Sequence, residues 1–254
     1  MTAIPGRSAI PAVQARIAGE VSSRRYVALS STETETLAGA STSDWSEFAA
    51  EWDHLTLDRY MSDGGTYRLR RYSRFSLDVS SGDLSQLPHG PYQQSRAVNS
   101  LNGGIERHFD PCRASFCENQ ALRRLLLGLG MAFTQADGGS RWDIKLHPYR
   151  ILASTGETGQ PAPEGRHSDG VTFVMTLMIA RHQVVGGRST IFSESGAEII
   201  STTLSRRGEL LICDDRLTTH SVTPISPVEG FTSGHRDVLV IAFTAAPMPA
   251  LHVG

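Results

Sequence analysis

The spacing of apolar residues predicts two amphipathic helices in the first half of the chain. In residues 41–55, Trp45, Phe48 and Trp52 recur every three or four positions after a serine-rich start, which is the pattern of a capped helix. Residues 115–133 show the same period in a leucine-rich stretch. We therefore expect both segments to be helices that bury one face.

From about Trp142 the pattern changes to short runs of β-branched and aromatic residues, separated by Gly, Pro, Asp or Ser. These predicted strands are residues 142–154, 171–180, 189–194, 209–215, 220–225 and 236–246. Residues 24–31 and 65–78 predict two earlier strands. Short strands without intervening helices are typical of an antiparallel barrel or jelly roll. We therefore expect an α+β protein with a mainly β core, buttressed by N-terminal helices.

The first 20 residues are rich in Ala, Pro, Gly and Ser and show no clear period, so they predict a loosely ordered N-terminal arm. The remaining residues, 21–254, predict a single domain, because this length fits one large core.

Composition narrows the classes of function. The chain has 24 basic and 26 acidic residues, a formal charge of −2, which argues against a general affinity for nucleic acid. The longest apolar stretch, residues 171–180, is too short to span a bilayer, and the N-terminus lacks the apolar core of a signal peptide. Three cysteines without a CxxC pair predict neither a disulfide scaffold nor a zinc knuckle. We expect a cytoplasmic protein without a membrane partner.

The triplet His-x-Asp occurs three times, as His108–Asp110, His167–Asp169 and His235–Asp237. Residues i and i+2 of an extended chain project to the same side, so such a triplet can offer two ligands to one metal ion. Two histidines and one carboxylate hold Fe(II) in oxygenases and leave three coordination positions open. The third ligand must then come from a later strand.

The second triplet is followed by the residues that such a site needs. His220 comes 53 residues after His167, and Arg236 comes 16 residues after His220. By contrast, the first triplet leads into a predicted helix, and the third has no Arg or Lys after it. Arg236 shares a predicted strand face with apolar residues, where a guanidinium is unfavourable unless it meets an anion such as a 2-oxoglutarate carboxylate. The pattern predicts an iron site at His167, Asp169 and His220.

Residues 163–192, 210–225 and 234–243 resemble the bacterial Fe(II)/2-oxoglutarate-dependent dioxygenases that hydroxylate free amino acids, the isoleucine 4-hydroxylase type. Weaker similarity extends upstream to about residue 60. The resemblance implies a distorted double-stranded β-helix, a jelly-roll or cupin-like fold. It also implies Fe(II) as cofactor, 2-oxoglutarate and O2 as co-substrates, and a free amino acid as small-molecule substrate.

The resemblance further implies that His167, Asp169 and His220 hold the iron and are catalytic, and that Arg236 binds 2-oxoglutarate. Many members of the wider superfamily have a hydroxyl residue two positions after this arginine. Here that residue is Val238, so the second contact to the carboxylate must come from elsewhere.

A free amino acid requires a cation for its carboxylate and an acceptor for its ammonium group. Arg150, on the strand before the metal triplet, is a candidate for the carboxylate, and Glu164 for the ammonium; Arg107 and Asn99 are weaker candidates. For Arg150 and Glu164, an ion pair within the protein is an equally good interpretation. Asp214 and Asp215 are expected to shape the turn before His220 or to orient a metal ligand.

Three alternatives stay open at this stage. A cupin-like iron enzyme that does not use 2-oxoglutarate would need no cation at Arg236. A β-sandwich protein could bind metal without catalysis. The arginine-rich residues 68–74 could bind an anion or nucleic acid, although the overall charge disfavours the latter. The amino acid, the carbon that is oxidised, and the choice among hydroxylation, sulfoxidation, desaturation and cyclisation also stay open.

Overall fold

The computed structural model describes residues 9–61, 63–94 and 104–246. The helices are α1 (Ala9–Arg24), α2 (Ser31–Ala38), α3 (Thr42–Ala49), a 3₁₀ helix (Ala50–His54), α4 (Ala114–Cys117) and α5 (Gln120–Asp137). The strands are β1 (Tyr26–Leu29), β2 (Thr56–Leu57), β3 (Arg68–Arg70), β4 (Ser73–Asp78), β5 (Asp83–Gln86), β6 (Arg141–Ser154), β7 (Phe173–His182), β8 (Val184–Gly186), β9 (Ser189–Ser193), β10 (Glu198–Thr202), β11 (Leu210–Asp214), β12 (Thr218–Val222), β13 (Ile225–Pro227) and β14 (Ser233–Ala245).

Helix α1 corrects the prediction of a loosely ordered arm. Val13, Ile17 and Val21 recur every four residues and are buried, and the helix packs against α5. A four-residue period of this kind places the three side chains on one helix face. The prediction is therefore wrong for residues 9–20, and residues 1–8 lie outside the described part of the chain.

The two predicted helices are confirmed, each in two parts. Residues 41–55 form α3 and the 3₁₀ helix, and Ser41 caps α3 in a reciprocal capping box with Asp44. Residues 115–133 fall in α4 and α5, where Asn119 caps α5 and four of its five leucines are buried. Helix α2, which the sequence analysis missed, begins at another capping box, formed by Ser30 and Glu33.

Among the described residues, nine strands form one antiparallel sheet. Its order is β1-β11-β7-β14-β6-β3-β2, and β4 pairs with both β6 and β5. The predicted strand 65–78 is thus two strands, β3 and β4. Between them the ladder with β6 is interrupted at Pro148, which has no N–H to donate, although the backbone N–H of Arg71 still donates to the Pro148 carbonyl at 3.4 Å. Tyr72 forms a bridge with Pro111. The structure is sheet-rich, as expected, with helices formed largely by the N-terminal half.

The two faces of the large sheet have different surroundings. On one face, the helices cover an apolar core in which Phe133 stacks on Phe173 with ring centroids 4.3 Å apart, beside Trp142 and Phe243. The other face, together with the three-stranded sheet β10-β9-β12, lines a cavity with an empty volume of about 1040 Å³, including its open mouth. In the described part of the chain, we find no helix with the length and apolar character that a membrane crossing requires.

Candidate metal and co-substrate site

His167, Asp169 and His220 lie together at the wall of the cavity. One ligand atom from each lies within 4.8 Å of the others, and His220 Nε2 is 3.5 Å from Asp169 Oδ2. The backbones of His167 and His220 form an isolated antiparallel bridge, with N–H to O distances of 3.0 and 2.8 Å. The 52 residues between the two histidines are therefore closed into a loop that brings the two rings together.

Hydrogen bonds leave the expected metal-binding nitrogens available. His167 Nδ1 is 2.9 Å from the carbonyl oxygen of Gly165, so Nδ1 carries the proton and donates it, and Nε2 keeps its lone pair. His220 directs Nε2 towards Asp169. Burial lowers the pKa of His220 to about 4, which keeps this ring in the neutral form that metals bind.

Asp215 holds the loop that carries Asp169. Its carboxylate accepts the backbone N–H of Asp169 at 2.9 Å and that of Val171 at 3.0 Å. Burial, followed by the nearby charge of Asp169, raises the pKa of Asp215 to about 6. Its Oδ1 also lies 3.7 Å from Nδ1 of His220. Asp215 is therefore in position to orient the predicted ligand Asp169, one of the two roles that the sequence analysis suggested, and it lies near His220 without a hydrogen bond to its ring.

The other two triplets do not form such a site. Within residues 9–61, 63–94 and 104–246, the cluster at His167 is the one group of three that could hold a metal ion. His108 faces Glu106, and His235 lies 3.6 Å from an Asp237 oxygen that is already paired with Arg150.

Arg236 extends into the same cavity from β14, on the face that also presents Val238 and Val240. This residue is 2% exposed, and its Nε and Nη2 atoms have no hydrogen-bond partner among the described residues. Burial, followed by the charge of Arg181 opposite it on β7, lowers the pKa of Arg236 to about 9. A buried guanidinium without an acid requires an anionic ligand, so Arg236 fits the carboxylate of 2-oxoglutarate.

Ser189 supplies a hydroxyl group that the sequence analysis did not identify. It is buried, lines the cavity, and its oxygen lacks a partner among the described residues. Gly187, two residues earlier, adopts φ +69° and lies so close to Arg236 that an added Cβ would be 3.1 Å from the arginine Cδ. Ser189 thus follows a segment that touches Arg236. The sequence did carry one signal for Ser189. It lies two residues before Ile191, so both side chains are on the same face of β9, and Ile191 is buried.

The structure corrects the prediction for Arg150. Its neighbours on β6, Tyr149 and Ile151, line the cavity, so Arg150 projects from the opposite face. There it forms two 2.8 Å hydrogen bonds to Asp237 and an ion pair at 3.1 Å with Asp53. Arg150 is therefore part of a structural ion-pair cluster, away from the cavity.

Glu164 does line the cavity, together with the triad. Three arginines line it as well: Arg68, Arg70 and Arg107. Asn99 lies outside the described residues. Arg68 and Arg70 belong to the arginine-rich strand for which an anion role was left open.

Comparison with known proteins agrees with this geometry. The model of the 2OG-Fe dioxygenase family matches residues 49–242. The chain is 28% identical over 202 residues to a 3(1)-hydroxy-L-isoleucine 4-dioxygenase of Pantoea ananatis, covering 78% of this chain and 79% of that protein. It is 29% identical over 196 residues to an L-isoleucine-4-hydroxylase of Bacillus thuringiensis, covering 74% and 80% of the two chains.

A solved structure gives the same result. A bsmA homolog from Methylobium petroleophilum PM1 superposes with a TM-score of 0.85 at 31% identity, covering 93% of this chain and 95% of that one. Both the sequence match and the structural match extend over most of the chain. The chain therefore belongs to the 2OG-Fe dioxygenase family and is an Fe(II)- and 2-oxoglutarate-dependent dioxygenase.

Proposed function

We propose that this enzyme hydroxylates an aliphatic C–H bond of a free L-amino acid, with 2-oxoglutarate converted to succinate and CO2. The observation that carries the proposal is the cavity itself, because it brings the triad and the unpaired guanidinium of Arg236 together. The names of two relatives, each of which oxidises isoleucine or its hydroxy derivative, support an amino-acid substrate.

In this proposal, His167, Asp169 and His220 are the three protein ligands of the iron. Bound there, Fe(II) supplies the activation of O2 that amino-acid side chains cannot provide. The carboxylate of Asp215 keeps Asp169 and its loop in place, and the N–H at His167 Nδ1 remains hydrogen-bonded to the Gly165 carbonyl. The protein's own contribution is to hold the ligands, orient the two substrates and keep water away from them.

Arg236 is the proposed partner of the 2-oxoglutarate carboxylate that lies away from the iron, and Ser189 is the proposed second donor. Many members of the wider superfamily have a hydroxyl residue at the position of Val238, whose side chain cannot donate a hydrogen bond. In this proposal, the hydroxyl of Ser189 donates that hydrogen bond instead. Glu164 is the proposed acceptor for the substrate ammonium group, because it lines the same cavity as the triad.

The large sheet and the three-stranded sheet that enclose the cavity are, in our interpretation, the two halves of a distorted double-stranded β-helix, within a single domain that also includes helix α1. The mixed, sheet-rich architecture and the structural relatives support this interpretation. We also propose that the enzyme acts in the cytoplasm.

The test is succinate formation by Fe(II)-loaded protein with 2-oxoglutarate and O2, across the twenty L-amino acids, with His220→Ala as the inactive control. Succinate that depends on one or a few amino acids and disappears in the variant is the expected result. A low rate that no amino acid stimulates, but that His220→Ala abolishes, would contradict a free amino acid as substrate.

Two of the alternatives lose their support through the family assignment. A cupin-like iron enzyme without 2-oxoglutarate and a non-catalytic β-sandwich protein would both leave the buried Arg236 without a reason. The third alternative, an anion site at residues 68–74, is compatible with the family, because Arg68 and Arg70 line the cavity.

A further inference from the structure

One part of the cavity wall contains three arginines and little negative charge to balance them. Arg68, Arg70 and Arg107 all line it and are at most 6% exposed. In the described part of the chain, Asp58 is the one carboxylate within 4.0 Å of any of these three guanidinium groups. Two of the three positive charges therefore have no acid of their own.

Asp58 is already paired with Arg68. Both Nε and Nη2 of Arg68 lie 2.8 Å from Asp58 Oδ2, whereas Nη1 of Arg70 is 3.6 Å from the same oxygen. Although burial alone would raise the pKa of Asp58, the charges of Arg68 and Arg70 lower it. The Asp58–Arg68 pair is thus a structural unit that supports the wall.

Arg70 is fixed in position but incompletely paired. Its guanidinium lies 3.5 Å from the centre of the Phe109 ring, and one of its Nη atoms contacts Nδ1 of His147. Burial, followed by the charge of Arg70, lowers the pKa of His147 well below its usual value, so this ring accepts the hydrogen bond as a neutral imidazole. The Nε atom of Arg70 has no partner among the described residues.

Arg107 is the least compensated of the three. Its Nη2 donates to the amide oxygen of Gln94 at 2.7 Å, and its guanidinium lies 4.6 Å from the centre of the Tyr92 ring. No Asp or Glu of the described ranges forms an ion pair with it, and its Nε has no partner there. A neutral amide and an aromatic face orient a guanidinium but cannot neutralise its charge.

Arg68 and Arg70 of this wall and Arg236, the proposed partner of the 2-oxoglutarate carboxylate, lie on different strands. Arg68 and Arg236 lie in one row of the sheet with Ile151 between them, on β3, β6 and β14. Neighbouring strands are about 4.8 Å apart, so the backbones at Arg68 and Arg236 are about 10 Å apart. Arg70 lies two residues further along β3. The wall therefore has positive charge available for a second anion.

We propose that Arg107, with Arg70 beside it, binds the carboxylate of the substrate, in the role that the sequence suggested for Arg150. This inference rests on the proposed function, because it assigns the anion to the substrate of the same cavity. The planar guanidinium of Arg107 lines the cavity and is held in place by Tyr92 and Gln94, so it is a preorganised donor for a carboxylate. Glu164 stays available for the ammonium group.

The first experiment uses turnover. For the amino acid that best stimulates succinate formation, Arg107→Gln is expected to raise the amino-acid KM at least 30-fold and to leave the 2-oxoglutarate KM within threefold. The α-amide of the same amino acid should be a poor substrate for the wild type and an equally poor one for the variant. Arg188→Gln, which removes an exposed arginine outside the cavity lining, is the matched control.

The second experiment does not depend on turnover or on the identity of the substrate. Zn(II)-substituted protein saturated with 2-oxoglutarate, so that Arg236 is occupied, is titrated with butanoate and with butanamide by ligand-observed NMR. Butanoate is expected to bind at least tenfold more tightly than butanamide. Arg107→Gln should remove this preference, and Arg107→Lys, which keeps the charge without the planar fork, should restore part of it.

The outcomes separate the two proposals. If no amino acid stimulates the wild type but butanoate binding depends on Arg107, the free amino acid is wrong and the carboxylate site stands. If the wild type binds butanamide as well as butanoate, or if Arg107→Gln leaves butanoate binding unchanged, the role of Arg107 is wrong. A loss of 2-oxoglutarate affinity in Arg107→Gln equal to that in an Arg236 variant would also overturn it.

Discussion

Replacing Arg236 by methionine is expected to stabilise the protein without 2-oxoglutarate and to abolish the stabilisation that 2-oxoglutarate provides. Arg236 is buried, and two of its nitrogens lack partners among the described residues. Methionine keeps an unbranched apolar side chain along the path of the arginine stem but removes the charge. The variant therefore separates the stability of the empty site from the binding of its ligand.

The size of the effect follows from the burial of the charge. A fall in the pKa of Arg236 from 12.5 to about 9 corresponds to about 5 kcal/mol of lost charge stabilisation. This loss is fully present below pH 9 and decreases as the pH rises towards 12.5, so at pH 7 all of it applies. The shorter side chain of methionine packs less completely, which offsets about half of this energy. We therefore expect the free energy of unfolding to rise by about 2 kcal/mol, or Tm by about 4 to 8 °C.

The assay is calorimetric melting of the Zn(II)-substituted protein at pH 7, with and without 2-oxoglutarate. Ligand at about 100 times its Kd stabilises the wild type by about 2.7 kcal/mol, whereas Arg236→Met should show no shift. The order of the two melting temperatures should therefore reverse on addition of 2-oxoglutarate. Arg188→Gln should follow the wild type in both conditions.

Either of two results would refute the idea of an unpaired, ligand-binding guanidinium. The first is a variant that melts below the wild type without 2-oxoglutarate, since the guanidinium would then stabilise the empty protein. The second is a variant that keeps the ligand-dependent shift, because another group would then bind the carboxylate.

Three further predictions concern residues around the site. Gly187→Ala places a Cβ at φ +69° and within 3.1 Å of the anchoring arginine, so the 2-oxoglutarate KM should rise at least tenfold while that of the amino acid does not; equal increases would contradict a local effect on Arg236. Asp215→Asn weakens the bonds to the N–H groups of the Asp169 loop, and iron affinity in a chelator competition should fall about 10- to 100-fold; an unchanged affinity would remove Asp215 from the site. Arg150→Gln leaves Asp237 buried without its cation, which should lower the free energy of unfolding in urea by about 3 kcal/mol and leave both KM values unchanged; an increase in the amino-acid KM alone would restore Arg150 as a substrate contact.

The clustering of His167, Asp169 and His220, with Arg236 in the same cavity, could be predicted from sequence. Part of the signal is local, whereas His220 was identified by its place on a later strand, 53 residues after His167. His167 and Asp169 are two residues apart on extended chain, and Arg236 alternates with Val238 and Val240, so one face of each segment defines the site. The same argument did not decide between the faces of β6. Both faces of that strand carry buried residues, so alternation alone did not reveal that Tyr149 and Ile151, and not Arg150, face the cavity.

Other features depend on contacts between distant segments. The role of Arg107 requires that Tyr92 and Gln94 lie beside it, which follows from the antiparallel bridge between Tyr92 and Arg107. The orphan hydroxyl of Ser189 is recognisable only once its lack of a partner among the described residues is known. Helix α1, in contrast, did carry a recognisable signal in its buried residues at four-residue spacing, which Pro11 and Gly19 obscured.

The row Arg68–Ile151–Arg236 also bears on how such an enzyme changes during evolution. The guanidinium at Arg236 and the arginines of β3 belong to strands far apart in sequence, and the central strand β6 separates them in the sheet. Substitutions on β3 and around Arg107 can then remodel the shape and charge preferred in the substrate while leaving the region of β14 untouched. Related enzymes can therefore change their substrate through substitutions in this wall while the iron and 2-oxoglutarate sites stay the same.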